Sequence, residues 1–348
     1  MITVASGLSA PHGLALDGAG NLFVADTDHC RVMMLAARTE DLYGRHEQAG
    51  RFYDVAGRTC AKGSALRYPT GLAVNRGDDL FIAEATTARV VMVRPQGPRS
   101  FIDIAGTGHA GYNGDDQPAP RAELDEPEGL ALDPSGDLFI ADTANCRVRE
   151  VPSHDVGAFG QTMTPLDIYT VAGTGLCGSG GRGAPTGQAQ VWDPVAVATD
   201  AVGDVFIADN GDQSVLDDTV AGRVTVVAGG TGSNGPYLSD GLSATGVAAE
   251  LNDAEGIALG SSAMFITDGA LHTIRVVPFA ATVITGRAMT AGDMYTLVGA
   301  LPITTSSGLG NGTQWVLAHL GRPIGIVVDP SGDVFFSDAG TGQVREIR

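Results

Sequence analysis

Lysine is almost missing from this chain. Lys62 is the only one in 348 residues, and Lys+Arg number 21 against 40 Asp+Glu. The resulting formal charge of −19 leaves no basic face for a phosphate backbone or an anionic lipid surface, which argues against nucleic acid and bare membrane as partners. Long apolar runs are also absent. Gly, Asp and Arg interrupt every window before it reaches the roughly 18 residues of a membrane-spanning helix, so no transmembrane segment is expected. Four cysteines are too few for a disulfide-dense miniprotein, and no CxxC is present for a zinc ribbon or redox motif. There is no nucleophile elbow, no HExxH and no Walker loop; the glycine runs at 178–183 and 229–235 do not open a helix after a strand. Met1 runs straight into Ile2-Thr3-Val4-Ala5 without the basic and apolar regions of an export signal.

What is present is repetition. A hydrophobic content of 43% with 49 glycines excludes a disordered tail, and one pattern recurs six times. Its first copy reads Pro11-His12-Gly13-Leu14-Ala15-Leu16-Asp17, then Gly20-Asn21-Leu22-Phe23-Val24-Ala25-Asp26, then Arg31-Val32. Later copies start at Pro69, Pro127, Pro194, Ala254 and Pro323. Each supplies an apolar strand, a tight Asp-x-x-Gly turn, a second strand such as Leu138-Phe139-Ile140-Ala141-Asp142 and a third beginning near Arg-Val. A fourth strand follows in five copies, as in Tyr169-Thr170-Val171-Ala172-Gly173. The sixth copy ends at Arg348 after its third strand, and Ile2-Thr3-Val4-Ala5-Ser6-Gly7 supplies the missing fourth. Four antiparallel strands in each of six repeats, closed by the N-terminal strand, predict an all-β, six-bladed β-propeller in a single domain spanning 1–348. A linear β-solenoid is the rival, but it has no reason to complete its last repeat with its first strand.

The P-x-G-[LI]-A-[LV]-[DN], G-[DN]-[LV]-F-[IV]-A-D and N-x-R-V segments resemble the NHL-repeat propellers, in their bacterial long-repeat form, as does the stretch Ala105-Gly106-Thr107-Gly108 to Pro118. That resemblance implies the fold across essentially the whole chain. It leaves function open, because such propellers include sensor and adhesion modules, scaffolds and a few enzymes. Pro11 to Asp17 is also similar to a ligand segment of the amidating lyases of peptide hormone maturation, which hold zinc on histidines. The equivalent positions in the other copies do not carry that ligand set. The calcium lactonases and strictosidine synthase share only the six-bladed plan.

On a propeller, the Pro-x-Gly starts, the links between second and third strands and the long interblade links share one face, here called the top. The residue between Pro and Gly should face the channel mouth, and around the ring it is His12, Thr70, Glu128, Val195, Glu255 and Ile324. His12, Thr70, Glu128 and Glu255 are therefore candidate ligand-binding residues. His12, Glu128 and Glu255 could present one imidazole and two carboxylates to a divalent cation, Ca²⁺, Mn²⁺ or Zn²⁺; the alternative is three solvated residues in a water-filled channel. His29, His109, His272 and His319 are also assigned to the top.

Cys30 and Cys60 occupy the same repeat coordinates in the first copy as Cys146 and Cys177 in the third, with separations of 30 and 31. Two intrablade disulfides, Cys30–Cys60 and Cys146–Cys177, are the expectation, with four free thiols as the alternative. Such bridges place the protein outside a reducing cytosol, in the cell envelope or beyond. The acids ending the second strands, Asp26, Glu84, Asp142, Asp209, Asp268 and Asp338, recur six times, and are read as acceptors for N–H groups of the following link. Arg31, Arg89, Arg147, Arg275 and Arg345 are read as structural partners within or between blades.

These observations predict an exported binding or scaffold module, acting as a monomer on a protein, peptide or glycan ligand. Its top loops are 107–126, 174–193, 230–253 and 300–322, with Trp192, Tyr237 and Trp315 as aromatic anchors. The alternative is a metal-dependent lyase or hydrolase centred on His12, Glu128 and Glu255, using a metal-bound water.

Overall fold

Alternating apolar residues in short strands between Asx turns leave each four-stranded sheet with two apolar faces, and such sheets bury both faces only by packing side by side in a ring. A computed structural model describes residues 1–58, 60, 66–96, 100–230, 240–246, 250–299 and 318–348. Blade one is built from Pro11–Leu16, Leu22–Asp26, Arg31–Leu35 and Phe52–Gly57, paired in that order from the channel outward. Blade two begins with Pro69–Val74, blade three with Pro127–Leu132, blade four with Pro194–Thr199 and blade five with Ala254–Leu259. Blade six comprises Pro323–Val328, Val334–Asp338 and Gln343–Ile347, and its outer strand is Ile2–Ser6. Ile2 pairs with Glu346 and Ser6 with Gln343, so the first strand closes the ring as the repeat count requires.

The core is divided into apolar clusters wedged between neighbouring blades. One joins Phe23, Val32 and Val55 of blade one to Leu80, Ile82 and Val93 of blade two. Another joins Phe139 and Val171 of blade three to Val205 and Leu216 of blade four. Inner strands turn into second strands through Asx turns: the Asp133 carboxylate accepts from the N–H groups of Ser135 (2.9 Å) and Asp137 (2.8 Å), and Asp329 does the same for Ser331 and Asp333.

Among the described residues, three extra hairpins outside the repeat separate the third and fourth strands of blades one, three and five. They are Glu40–Leu42 with Arg45–Glu47, Val156–Ala158 with Gln161–Met163, and Thr282–Ile284 with Arg287–Met289. Each leans over the next blade. The Tyr43 N–H donates to the Pro95 carbonyl of blade two at 2.6 Å, the Phe159 N–H donates to the Val220 carbonyl of blade four at 2.9 Å, and Ile284 packs on the cluster shared by blades five and six.

Candidate functional site

Six inner strands converging on one axis crowd their backbones, and the Pro-x-Gly start answers that crowding. A Cβ on Gly71 would lie 2.1 Å from the Glu128 carbonyl oxygen, and one on Gly13 would lie 2.2 Å from that of Thr70. Only a glycine allows the blades to close so tightly, and the pairing register shifts at this point between Pro11 and Leu14 and in the equivalent strands.

The inner strands line a central hollow of about 380 Å³. Its shaft is Gly, Ala, Val, Leu and Ile apart from Thr199 at its far end, and its polar groups at the mouth are His12, Glu128 and Glu255. Val195 and Ile324 complete the rim of that layer. Thr70 lies elsewhere: it is buried, and its hydroxyl lies within 3.2–3.4 Å of the carbonyls of Ala83, Pro127 and Glu128, tying blade two to blade three.

A second layer of side chains comes from the residue just before each inner strand, at Ala10, Tyr68, Glu126, Asp193, Asp253 and Arg322. The first four are held at positive φ, between +46° and +62°. Arg322 contacts the Glu255 carboxylate directly and lies 3.5 Å from Asp253. Burial lowers His12 to about 4, assisted by the Arg322 cation, so the imidazole is neutral at physiological pH. Burial, then the Asp193 and Glu126 charges, push Glu128 up to about 7. Burial and Asp253 push Glu255 up to about 8 against the pull of Arg322. Asp193 is raised by burial and by Asp253. The mouth is thus an acidic collar holding one arginine, above an apolar shaft.

This arrangement does not fit a metal. Among the described residues, no three His, Cys, Asp or Glu side chains come close enough to share an ion. Glu255, one of the three expected ligands, is engaged by Arg322, a resident cation that the sequence reading did not include.

The repeated acids do accept backbone N–H groups, but chiefly from the link entering their own blade. Asp26 takes the Ser9 N–H at 2.7 Å, Asp142 that of Asp125 at 2.8 Å, Asp209 that of Trp192 at 2.5 Å and Asp338 that of Gly321 at 2.9 Å. Each therefore pins the residues that carry the collar, which corrects the expected direction; among the described residues, only Asp268 also receives a backbone N–H, that of Leu271, from the link that follows. The arginines divide into two registers. Arg31 and Arg89 pair with Asp26 (2.7 Å) and Glu84 (2.6 Å) at the strand start, whereas Arg275 and Arg345 are fully buried two residues further along. In blade three Arg149 takes that buried role, and Arg147 stacks 3.7 Å over the Tyr112 ring.

Both disulfides are present, Cys30–Cys60 and Cys146–Cys177, with Cα–Cα distances of 5.1 and 5.3 Å. Cys30 and Cys146 each occupy the left-handed residue ending the 3-10 turn after the second strand. Trp192 is half exposed on the top, over Gly211. His29 bonds Asp26 at 2.9 Å and His272 meets the Gly321 carbonyl. Tyr237 and Trp315 lie outside the described residues, with the rest of 231–239, 247–249 and 300–317.

Comparison with known proteins agrees with the fold. The NHL repeat family matches residues 8–32 and 124–150. Protein SUPPRESSOR OF QUENCHING 1, chloroplastic, of Arabidopsis thaliana is 31% identical over 86 residues, 25% of this chain and only 8% of that protein. Among solved structures, an auxiliary nutrient binding protein from Bacteroides thetaiotaomicron superposes with a TM-score of 0.63 at 14% identity, over 98% of this chain and 69% of the other. A gluconolactonase from Xanthomonas campestris gives 0.58 at 12% identity, over 99% and 87%. Virginiamycin B lyase from Staphylococcus aureus gives 0.51 at 12% identity, over 97% and 83%. At such identities the likeness is one of fold.

Proposed function

From the premise that the chain carries NHL repeats in a six-bladed propeller, we propose that it is an exported binding module whose channel mouth takes a small ligand with a cationic head and an apolar body. The observation that carries this reading is the placement of Glu128 and Glu255 where an apolar shaft opens under Asp193 and Asp253. An alkyl body would fill the shaft, and an ammonium or guanidinium would replace the proton that Glu128 otherwise holds near neutrality, beside the Glu255–Arg322 pair. A free amine of this kind occurs at the ends and side chains of peptides, which suits the expectation of a peptide partner. The two disulfides support export to an oxidising compartment. A glycan would find few hydrogen-bonding groups in the shaft, and the metal-dependent lyase reading lacks a gathered ligand set.

Calorimetric titration with hexylammonium and hexanol at pH 6 and 8.5 tests the reading. Hexylammonium should bind more tightly at pH 8.5 and release a proton on binding at pH 6, and Glu128→Gln should weaken it and flatten the pH dependence. Equal binding of hexanol, or a pH dependence untouched by Glu128→Gln, would overturn it.

A further inference from the structure

The tips of the three extra hairpins are Tyr43-Gly44, Phe159-Gly160 and Thr285-Gly286, in matching positions and at the same left-handed φ of +49°, +51° and +56°. The first two insert an aromatic ring between their own blade and the next. Tyr43 meets Phe23 edge-on at 6.0 Å and Phe159 meets Phe139 in the same way at 6.0 Å, and both are almost fully buried. The Tyr43 hydroxyl also donates to the Asp78 carbonyl at 2.9 Å.

Thr285 is too short to repeat this and is exposed. Under it lies a separate cavity of about 220 Å³ on the bottom face, between blades five and six. Its apolar wall is Phe265, Ile284, Leu297, Val328, Val334 and Ile347. These match, one for one, Phe23, Leu42, Val55, Val74, Leu80 and Val93 around Tyr43. Gly332, which also lines the cavity, stands two residues before Val334 as Asp78 stands two before Leu80. An apolar cavity of ~150 Å³ is enough to take benzene.

We infer that this cavity is a binding site for a monocyclic phenol, its ring occupying the place that Tyr43 fills in blade one and its hydroxyl donating to the Gly332 carbonyl. The protein itself shows which shape the wall accepts, because the same wall closes on a tyrosine ring elsewhere in the ring of blades. The site is independent of the channel mouth, on the opposite face.

Calorimetric titration with p-cresol should show one saturable site in the wild-type protein, absent in Thr285→Tyr, which supplies the ring internally. Toluene should bind there about fivefold more weakly, the effect of one lost hydrogen bond. Tyr43→Thr opens the equivalent wall in blade one and should raise the stoichiometry from one to two. Glu128→Gln should change none of this, which separates the result from the channel-mouth reading. Absence of p-cresol binding to the wild type, or binding undiminished in Thr285→Tyr, would overturn the inference. So would sedimentation showing that a second copy covers the cavity in a dimer dispersed by Thr285→Tyr.

Discussion

The hydroxyl of Ser337 in blade six donates to the carbonyl of His12 in blade one across 2.6 Å, joining residues 325 positions apart. It also accepts the Gly325 N–H at 2.8 Å, and Thr267 makes the corresponding bond to the Ile324 carbonyl at 2.5 Å between blades five and six. The blade-six hydroxyl therefore works on the seam between the last blade and the first. Ser337→Ala should lower stability by about 1 kcal/mol, read as a lower urea midpoint with an unchanged slope.

Gly71→Ala should be far more damaging. The new methyl would collide with the Glu128 carbonyl at 2.1 Å, and a backbone oxygen on a packed inner strand has nowhere to go. A loss of about 2–3 kcal/mol is expected. Gly18→Ala, whose Cβ would meet nothing within 4 Å, should leave the midpoint near the wild-type value.

Stability should fall as pH rises from about 5 to 8. Glu150 is buried, its Oε2 has no hydrogen-bond partner among the described residues, and burial with Asp137 and Asp133 raises it from 4.5 to about 8. A carboxyl raised in the folded state binds a proton that the unfolded chain has already lost, so its contribution is complete below about pH 4.5 and gone above about pH 8. Asp218, raised by burial to about 8, acts in the same direction. His12, lowered to about 4, opposes the trend only below its ordinary value of 6.5. Melting temperatures should therefore be lower at pH 8.5 than at pH 6.5, and Glu150→Gln should reduce the difference.

Each disulfide closes a loop of about 30 residues, for which the chain-entropy relation gives about 3–4 kcal/mol. Mild reduction should lower the melting temperature in two additive steps, and the Cys146→Ala, Cys177→Ala double variant should remove one of them.

The ring was legible because repetition fixes strand count, and because Ile2 to Gly7 copies the fourth-strand pattern that the last repeat lacks. The disulfides were legible for the same reason, since two pairs share coordinates. The collar was not, although a signal existed one position earlier: the residue before Pro11, Pro127, Pro194, Ala254 and Pro323 varies as widely as the residue after it. Arg322 in particular sits at the end of a long link with no internal pattern, and only its contact with Glu255 gives it meaning. Thr70 shows the reverse failure. Its column faces the mouth in other blades, but a hydroxyl so close to neighbouring carbonyls finds them before it finds solvent. The hairpins were hidden because they recur in every second repeat and an alignment of single blades treats them as insertions.

That alternation has a consequence for how the ring is built. With a hairpin of each odd-numbered blade lying across its even-numbered successor, deleting one blade would leave either a lid with no seat or a seat with no lid. The structural unit of this ring is then a pair of blades, a hairpin-bearing one and its successor, set three times around the axis.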